Sequence, residues 1–332
     1  MGTGELRYEL VEGWAKLPES SLCIDVTDVG ADSQGRVFLF VRGEPCVIVL
    51  GADGSFLDSW GTLETFKRPH ALTVGPDDSI WLTDSGNHTV RQYTATGQLL
   101  LELTASHPSP ALSNKPFNQC THVAVDPRHG HIYVSDGYSN AAVHKYTPNG
   151  DYQLSWGSPG CAPGQFCVPH NISADREGLV YVADRHNGRV QVFDDSGAVQ
   201  DIWQGASLPN ALHIDTRAPE QLAYLQELSP MTFLNERAYG MAEWSSMTGL
   251  GHKITIRGLD GTVRATLCDN GVGTKPGQLV GPHGISVDPE GSVFVGELAY
   301  GATASPKDGT TMLESVHKYR RVTDGLVADA GA

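Results

Sequence analysis

The fold is indicated by a repeated unit, clearest in "GLVYVADRHNGRVQVFDDSGAVQDIWQG" at residues 178–205. An apolar strand leads into a turn of the Asp-x-x-Gly type, and alternating strands follow on either side of a Ser-Gly turn. Gly-containing turns between alternating stretches are typical of β-hairpins. Similar units begin at Gly35, Asp78 and Gly130, and an interrupted one begins at Gly291. Four strands in roughly 40–50 residues are typical of one β-propeller blade.

A sixth unit is divided by an insertion. Its first strands lie in "LPNALHIDTRAPEQLAYL" at 208–225, and its outer hairpin lies in "KITIRGLDGTVRATLCD" at 253–269. Residues 226–250 are predicted as an inserted loop or short helix. We therefore predict an all-β fold, a six-bladed β-propeller of four-stranded antiparallel blades around a central channel, as a single domain over 1–332. The predicted blades are about 20–62, 66–105, 117–157, 166–205, 207–270 and 280–322. Two β-sandwiches are the less favoured alternative, because sandwich strands need not repeat as a unit.

The composition excludes some classes of partner. A net charge of -15 repels nucleic acid and anionic membranes. No window approaches 18 uninterrupted apolar residues, so no membrane span is predicted. The N-terminus has no signal-peptide pattern, and the six cysteines form no C-x-x-C pair. These features predict a cytoplasmic protein, and a closed propeller predicts a monomer.

Three Pro-His pairs open strands at corresponding places in the repeat. They lie in "FKRPHALTVG" at 66–75, "FCVPHNISAD" at 166–175 and "LVGPHGISVD" at 279–288. Pro is tolerated as the first residue of a strand, so the next residue lies at the channel mouth. Aligning the inner strands places His70, His170 and His283 on blades two, four and six, with Thr27, Thr121 and Asn210 on the others. Three imidazoles with an open fourth position are typical of a catalytic zinc site, so we predict Zn²⁺ or another divalent transition metal here. A single Pro-His pair would more often contain only a packed or exposed histidine.

The chain resembles the peptidyl-α-hydroxyglycine α-amidating lyase family, six-bladed propellers of the NHL-repeat type. The resemblance covers residues about 25–320. It is densest in "HVAVDPRHGHIYVSDGYSN", "PGQFCVPHNIS" and "VYVADRHNGRVQVF". It implies that His70, His170 and His283 hold zinc. It further implies that Tyr138 in "SDGYSN" is the base, and that Arg42 in "LFVRGE" and Arg185 in "VADRHN" complete the site.

The same family carries a structural calcium ion in the channel. The resemblance implies that the backbone carbonyls of Val29 and Leu72 are two of its ligands. A carboxylate is expected after the third histidine, but this chain has Gly284 there. Asp28 occupies the same strand position in the neighbouring first blade and is the candidate replacement, since Ca²⁺ requires oxygen ligands. Ser139 and Tyr181 stand where the family has cysteines, which suits a reducing compartment.

The implied reaction splits an N-acyl-α-hydroxyglycine into an amide and glyoxylate, without water or a redox step. Tyr138 would take the hydroxyl proton, and an adjacent guanidinium, for which Arg42 is the candidate, favours the phenolate. Arg185 would bind the substrate carboxylate, and the two arginine roles are interchangeable at this stage. His122 is a tentative substrate contact. The predicted partner is a small molecule or peptide that carries an α-hydroxyglycine group.

Three alternatives remain open at the level of the sequence. The lyase could act on a small relative of this substrate such as ureidoglycolate, with recognition by loops 226–250 and 300–312. A metal-dependent hydrolase could occupy the same fold, because fold alone does not specify the reaction. A non-catalytic NHL propeller would instead bind a protein or ligand on one face, but it would have no reason to keep all six site residues.

Overall fold

Six antiparallel sheets follow one another around a ring and confirm the predicted six-bladed β-propeller. The computed structural model describes residues 2–18, 24–105, 107–230, 251–303 and 313–322. The innermost strand of each sheet contacts that of the next sheet, and the sixth contacts the first. Most of the predicted 226–250 insertion and of the 300–312 loop lies outside the described residues. Within the described ranges, no helix has the length and apolarity to cross a membrane.

Each blade runs from an inner strand at the channel to an outer strand. Blade 1 contains β3 (Val26–Ala31), β4 (Val37–Val41), β5 (Val47–Leu50) and β6 (Phe56–Trp60). Blade 2 contains β7 (Pro69–Val74), β8 (Ile80–Asp84), β9 (Thr89–Tyr93) and β10 (Leu99–Thr104). Blade 3 contains β11 (Cys120–Val125), β12 (Ile132–Asp136), β13 (Ala142–Tyr146) and β14 (Tyr152–Trp156).

The remaining blades follow the same order. Blade 4 contains β15 (Pro169–Ala174), β16 (Val180–Asp184), β17 (Arg189–Phe193) and β18 (Val199–Trp203). Blade 5 contains β19 (Leu208–Asp215), β20 (Leu222–Leu228), β21 (Lys253–Gly258) and β22 (Val263–Leu267). Blade 6 contains β23 (Pro282–Val287), β24 (Val293–Glu297) and β25 (Val316–Val322). A 3-10 turn at Arg185–Asn187 and the short helix α1 (Ala299–Thr303) lie between strands.

The N-terminal segment completes the last blades. Strand β2 (Arg7–Leu10) pairs with β25 as the fourth strand of blade 6, and β1 (Thr3–Gly4) extends blade 5 beside β22. The sequence does not predict these strands, because segments of two and four residues contain too little alternation to be recognised. Their pairing covers edges that would otherwise be open.

Tryptophans at the ends of outer strands explain why the hairpin turns need glycine. Each packs on the turn glycine of the following blade, where an added Cβ would lie 2.7 Å from the indole. The pairs are Trp60 with Gly97, Trp156 with Gly197 and Trp203 with Gly261. These glycines also have φ between 80° and 84°, so both sterics and backbone conformation exclude a side chain.

All six inner strands are irregular at the same point. In each strand the pairing register shifts across one residue, as between Pro69 and Ala71 in β7. Such a bulge leaves one residue outside the ladder and redirects its side chain. The bulged residues are Thr27, His70, Thr121, His170, Asn210 and His283. The bulge therefore places the aligned residues at one level of the channel.

Candidate metal and catalytic site

Buried acids fix the entry to each Pro-His strand. Asp84, Asp184 and Glu297 end the second strands of blades 2, 4 and 6. Each carboxylate accepts backbone N–H groups from the loop before its Pro-His pair. The donors are Lys67 (2.6 Å) and Arg68 (2.9 Å), Cys167 (2.8 Å), and Val280 (2.6 Å) and Gly281 (2.8 Å). Charge-assisted bonds of this kind hold the chain rigidly at the point where each histidine begins.

The three histidines are oriented by the neighbouring blades. Nδ1 of His70 lies 2.6 Å from the carbonyl oxygen of Thr121, and Nδ1 of His170 lies 2.7 Å from that of Asn210. Nδ1 of His283 lies 2.7 Å from the carbonyl oxygen of Thr27. A carbonyl can only accept, so Nδ1 carries the hydrogen and Nε2 keeps its lone pair. This arrangement is usual for metal-binding histidines.

The three imidazoles converge and are held neutral. One ligand atom from each lies within 4.8 Å of the others, and the ring centroids are 4.9 to 5.1 Å apart. Burial, and then the charge on Arg42, lowers the pKa of His283 to about 3. Burial also holds the pKa values of His70 and His170 well below their usual range. Neutral imidazole is the form that binds a metal ion.

Tyr138 shows that the donor set fits a cation. Its hydroxyl oxygen lies 2.8 Å from Nε2 of His70 and 2.9 Å from Nε2 of His170. One hydroxyl hydrogen cannot satisfy two imidazole lone pairs at once, and His283 belongs to the same cluster. The cluster is therefore rich in lone pairs and poor in protons. A divalent transition ion with a preference for imidazole nitrogen fits it.

Arginine side chains surround the Tyr138 ring. The guanidinium carbon of Arg185 lies 5.7 Å from the ring centroid, and that of Arg68 lies 5.4 Å away. Arg185 donates to the side-chain oxygen of Asn210 (3.0 Å), and Nε of Arg42 approaches the carbonyl of Pro69 (3.4 Å). The structure thus brings Arg42, Arg185 and Tyr138 to the histidines, as the sequence predicted.

Burial lowers the pKa of both predicted arginines. For Arg42 the charge of Arg68 adds to this effect, and for Arg185 the Tyr138 hydroxyl opposes it. Arg68 is exposed and was missed by the sequence analysis. Its signal was its position directly before Pro69-His70, but an exposed arginine usually remains solvated. The site therefore carries a concentration of positive charge within an acidic protein.

The residues proposed for calcium make a different set of contacts. The Asp28 carboxylate accepts the backbone N–H groups of Val29 and Leu72, both at 2.9 Å. Nε2 of His122 lies 3.2 Å from the same carboxylate. A Cβ on Gly284 would lie 2.2 Å from Asp28 Oδ1, so the Asp28 side chain occupies the space left by this glycine.

These contacts give no support to a calcium ion at Asp28. The N–H groups and the imidazole around Asp28 are donors, whereas Ca²⁺ needs several oxygen ligands. Burial raises the pKa of Asp28, and the hydrogen bond from His122 opposes that shift. His122, predicted as a tentative substrate contact, is directed at Asp28. The carbonyls of Val29 and Leu72 take no part in these contacts, so the calcium site stays a prediction, and no step of the reaction is assigned to it.

Comparison with known proteins supports the resemblance found in the sequence. Residues 66–93 and 166–193 match the sequence profile of the NHL repeat. The chain is 32% identical over 221 residues to the human NHL repeat-containing protein 3, covering 61% of this chain and 60% of that protein. It is 38% identical over 163 residues to peptidyl-alpha-hydroxyglycine alpha-amidating lyase 1 of Drosophila melanogaster, covering 46% of this chain and 30% of that protein.

A solved structure supports the fold alone. The virginiamycin B lyase of Staphylococcus aureus superposes with a TM-score of 0.59 at 12% identity, over 96% of this chain and all of that one. The matched segments span less than two thirds of the length of either curated relative above. The resemblance to NHL propellers and amidating lyases is thus confirmed.

Proposed function

We propose that this NHL propeller is a zinc-dependent lyase that cleaves an N-substituted α-hydroxyglycine into an amide and glyoxylate. The observation that carries the proposal is the meeting of three imidazoles, Tyr138 and two buried or half-buried arginines at one mouth of the channel. A ligand-binding scaffold has no need for a phenol placed between two metal-binding histidines. The related fly lyase bears the same type of activity in its name.

The proposed reaction breaks the bond between the α-carbon and the amide nitrogen. The hydroxyl oxygen loses its proton, its electron pair forms the aldehyde of glyoxylate, and the amide nitrogen gains a proton. In this proposal Tyr138 accepts the hydroxyl proton, which is supported by the contacts of its oxygen with Nε2 of His70 and of His170. In this proposal Arg42, whose charge interacts with the Tyr138 hydroxyl, stabilises negative charge that develops there during the reaction.

Arg185 is the proposed anchor for the substrate carboxylate. It is buried, it is held by Asn210, and its guanidinium faces the Tyr138 ring. A guanidinium can bind a carboxylate through two parallel hydrogen bonds, which fixes the orientation of the α-carbon. The contact with Asn210 therefore positions the anchor before substrate binds.

His70, His170 and His283 would hold the zinc ion. When bound, such an ion supplies Lewis acidity to a substrate oxygen. The histidines orient their lone pairs through the bonds at Nδ1, and burial excludes competing water. The predicted monomeric state, cytoplasmic location and small-molecule or peptide partner remain part of the proposal.

The test is incubation of zinc-loaded protein with α-hydroxyhippurate, with benzamide and glyoxylate measured above the uncatalysed rate. We expect the two products in equal amounts. Tyr138→Phe should lower kcat by about 10²- to 10⁴-fold, the usual contribution of a general base, while zinc content is unchanged. Tyr152→Phe is the matched control, because Tyr152 is exposed on an outer strand.

The products distinguish the alternatives. Benzoate in place of benzamide would indicate a hydrolase, and consumption of ureidoglycolate without any turnover of α-hydroxyhippurate would indicate the smaller substrate. Absence of turnover on both substrates would contradict the lyase proposal and favour a non-catalytic propeller.

A further inference from the structure

An apolar groove lies beside Tyr138, between blades 3 and 4. Its volume is about 380 Å³, and its walls include Leu112, Ala141, Phe166 and Val168 together with Tyr138 itself. Phe166 and Ala141 are buried, so they form a fixed floor. No charged side chain is found among the described residues that line it. The groove thus shares Tyr138 with the histidine cluster, but its lining is mainly apolar whereas the cluster is polar and charged.

Val168 has an unfavourable backbone conformation at this groove. Its φ is 60°, in the left-handed region that a β-branched residue rarely adopts. It directly precedes Pro169-His170, and its carbonyl accepts the backbone N–H of Arg185 (3.1 Å). Glycine would adopt this φ without cost, and Gln119 at the corresponding position of blade 3 has a φ of 61°. A β-branched side chain at this strained position is explained if its isopropyl group contacts a ligand, since backbone strain concentrates at functional sites.

Leu112, which also lines the groove, repeats the pattern. Its φ is 57° and it is 58% exposed, so backbone and solvent both oppose a leucine at this position. Its loop is firmly held, because Leu112 N–H donates to Ser139 O (3.0 Å) and the Asn140 side chain bonds Asn114 and Lys115. The exposure is therefore a built feature of the groove.

We propose that this groove binds an apolar acyl group of the substrate whose hydroxyglycine end lies at Tyr138. The inference rests on the proposed function and specifies its substrate class, N-acyl-α-hydroxyglycines with an aromatic or branched aliphatic acyl group. Continuity of the groove with Tyr138 supports this occupant. A ureido group is polar and small, so it would gain little from apolar walls of this size.

The test uses stable analogues that lack the hydroxyl group. Calorimetric titration of zinc-loaded protein should give tighter binding of hippurate than of N-acetylglycine or N-carbamoylglycine, by about 10- to 100-fold, as expected for burial of a phenyl ring. Leu112→Ser should reduce the hippurate-to-acetylglycine affinity ratio about fivefold. Leu100→Ser, a similarly exposed leucine on the outer strand of blade 2, is the matched control and should leave the ratio unchanged.

Val168→Gly separates binding from folding. Glycine relieves the backbone strain, so the thermal midpoint should stay equal or rise, while the affinity ratio falls about fivefold. Equal affinities of the wild-type protein for hippurate and N-acetylglycine would overturn the groove proposal. So would variants that weaken both ligands alike.

The two proposals can fail separately. Selective hippurate binding that depends on Leu112, without turnover of α-hydroxyhippurate, would keep the groove and reject the lyase. Turnover of α-hydroxyhippurate and N-acetyl-α-hydroxyglycine with equal kcat/KM, and no selective binding, would keep the lyase and reject the groove. Neither binding nor turnover would reject both.

Discussion

Blade 3 carries a second group of possible metal ligands that contrasts with the channel histidines. Asp126, His129 and His131 lie at the turn between β11 and β12, and like the channel cluster they offer ligand atoms within 4.8 Å of one another. Proximity of the ligand atoms therefore does not distinguish the two groups, which differ instead in burial and in their hydrogen bonds.

Two members of the turn group, Asp126 and His129, already contact each other, and Arg128 also contacts Asp126. Asp126 accepts the Arg128 N–H (2.8 Å), the Arg128 guanidinium lies 3.6 Å away, and Nδ1 of His129 is 3.3 Å from the carboxylate. The His129 side chain is 61% exposed. The channel histidines are instead buried, bonded at Nδ1 to rigid strands, and short of protons. Burial and the orientation of the imidazole lone pairs, more than closeness, prepare the channel site for a metal ion.

The largest expected effect comes from removing one channel ligand. His170→Ala should leave the purified protein without zinc after dialysis and without lyase activity, since two imidazoles cannot make the three-ligand site. His131→Ala, the control from the turn group, should retain one zinc per chain and full activity. Zinc content per chain is measured by elemental analysis. Equal zinc loss in the two variants would contradict the proposed difference between the channel histidines and the turn group.

His252, a buried histidine outside both groups, shows how burial affects the pKa of an imidazole and the stability of the protein. His252 accepts the Ser229 N–H and donates to Val280 O, and burial lowers its pKa to about 4. Between pH 6.5 and 4 the histidine is therefore protonated in the unfolded chain but neutral in the native protein. The contribution of neutral His252 to the free energy of unfolding is complete above pH 6.5 and is lost as the pH falls towards 4. We expect His252 to remove about 3 kcal/mol of the free energy of unfolding across that window.

The measurement is urea unfolding of the metal-free protein at several pH values. His252→Gln should be less stable at pH 7 but lose correspondingly less stability on acidification. If the free energy of unfolding changed with pH equally in the two proteins, burial would not lower the pKa of His252.

A smaller effect is expected at the Asp28–His122 pair, where groups of the chain itself contact the Asp28 carboxylate. Gly284→Ala should destabilise the protein by about 2 kcal/mol, because the new methyl group meets the Asp28 backbone and carboxylate. Gly43→Ala, whose Cβ would meet the Ile24 methyl at 3.1 Å, is the milder control. Because donors of the chain already contact Asp28, calcium should leave the thermal midpoint unchanged, whereas a rise that depends on Asp28 would support the calcium prediction.

Much of this architecture was accessible from the linear order of residues. Strand alternation, Gly-containing turns and the three Pro-His pairs are local signals, and their repetition around the ring reinforces them. Because a closed ring converts repeat position into spatial position, placing His70, His170 and His283 on alternate blades was enough to predict their convergence. The resemblance to a family then identified Tyr138, Arg42 and Arg185 as candidates.

Contacts between distant segments needed the folded chain. The pairing of β2 with β25, the placement of Arg68 over Tyr138, the insertion of Asp28 into the space beside Gly284, and the groove between Leu112 and Val168 all join segments from different blades or loops. No local period encodes such contacts, since they depend on how blades pack once the ring closes. Side-chain direction at a bulge and backbone strain at a single residue likewise arise only in three dimensions.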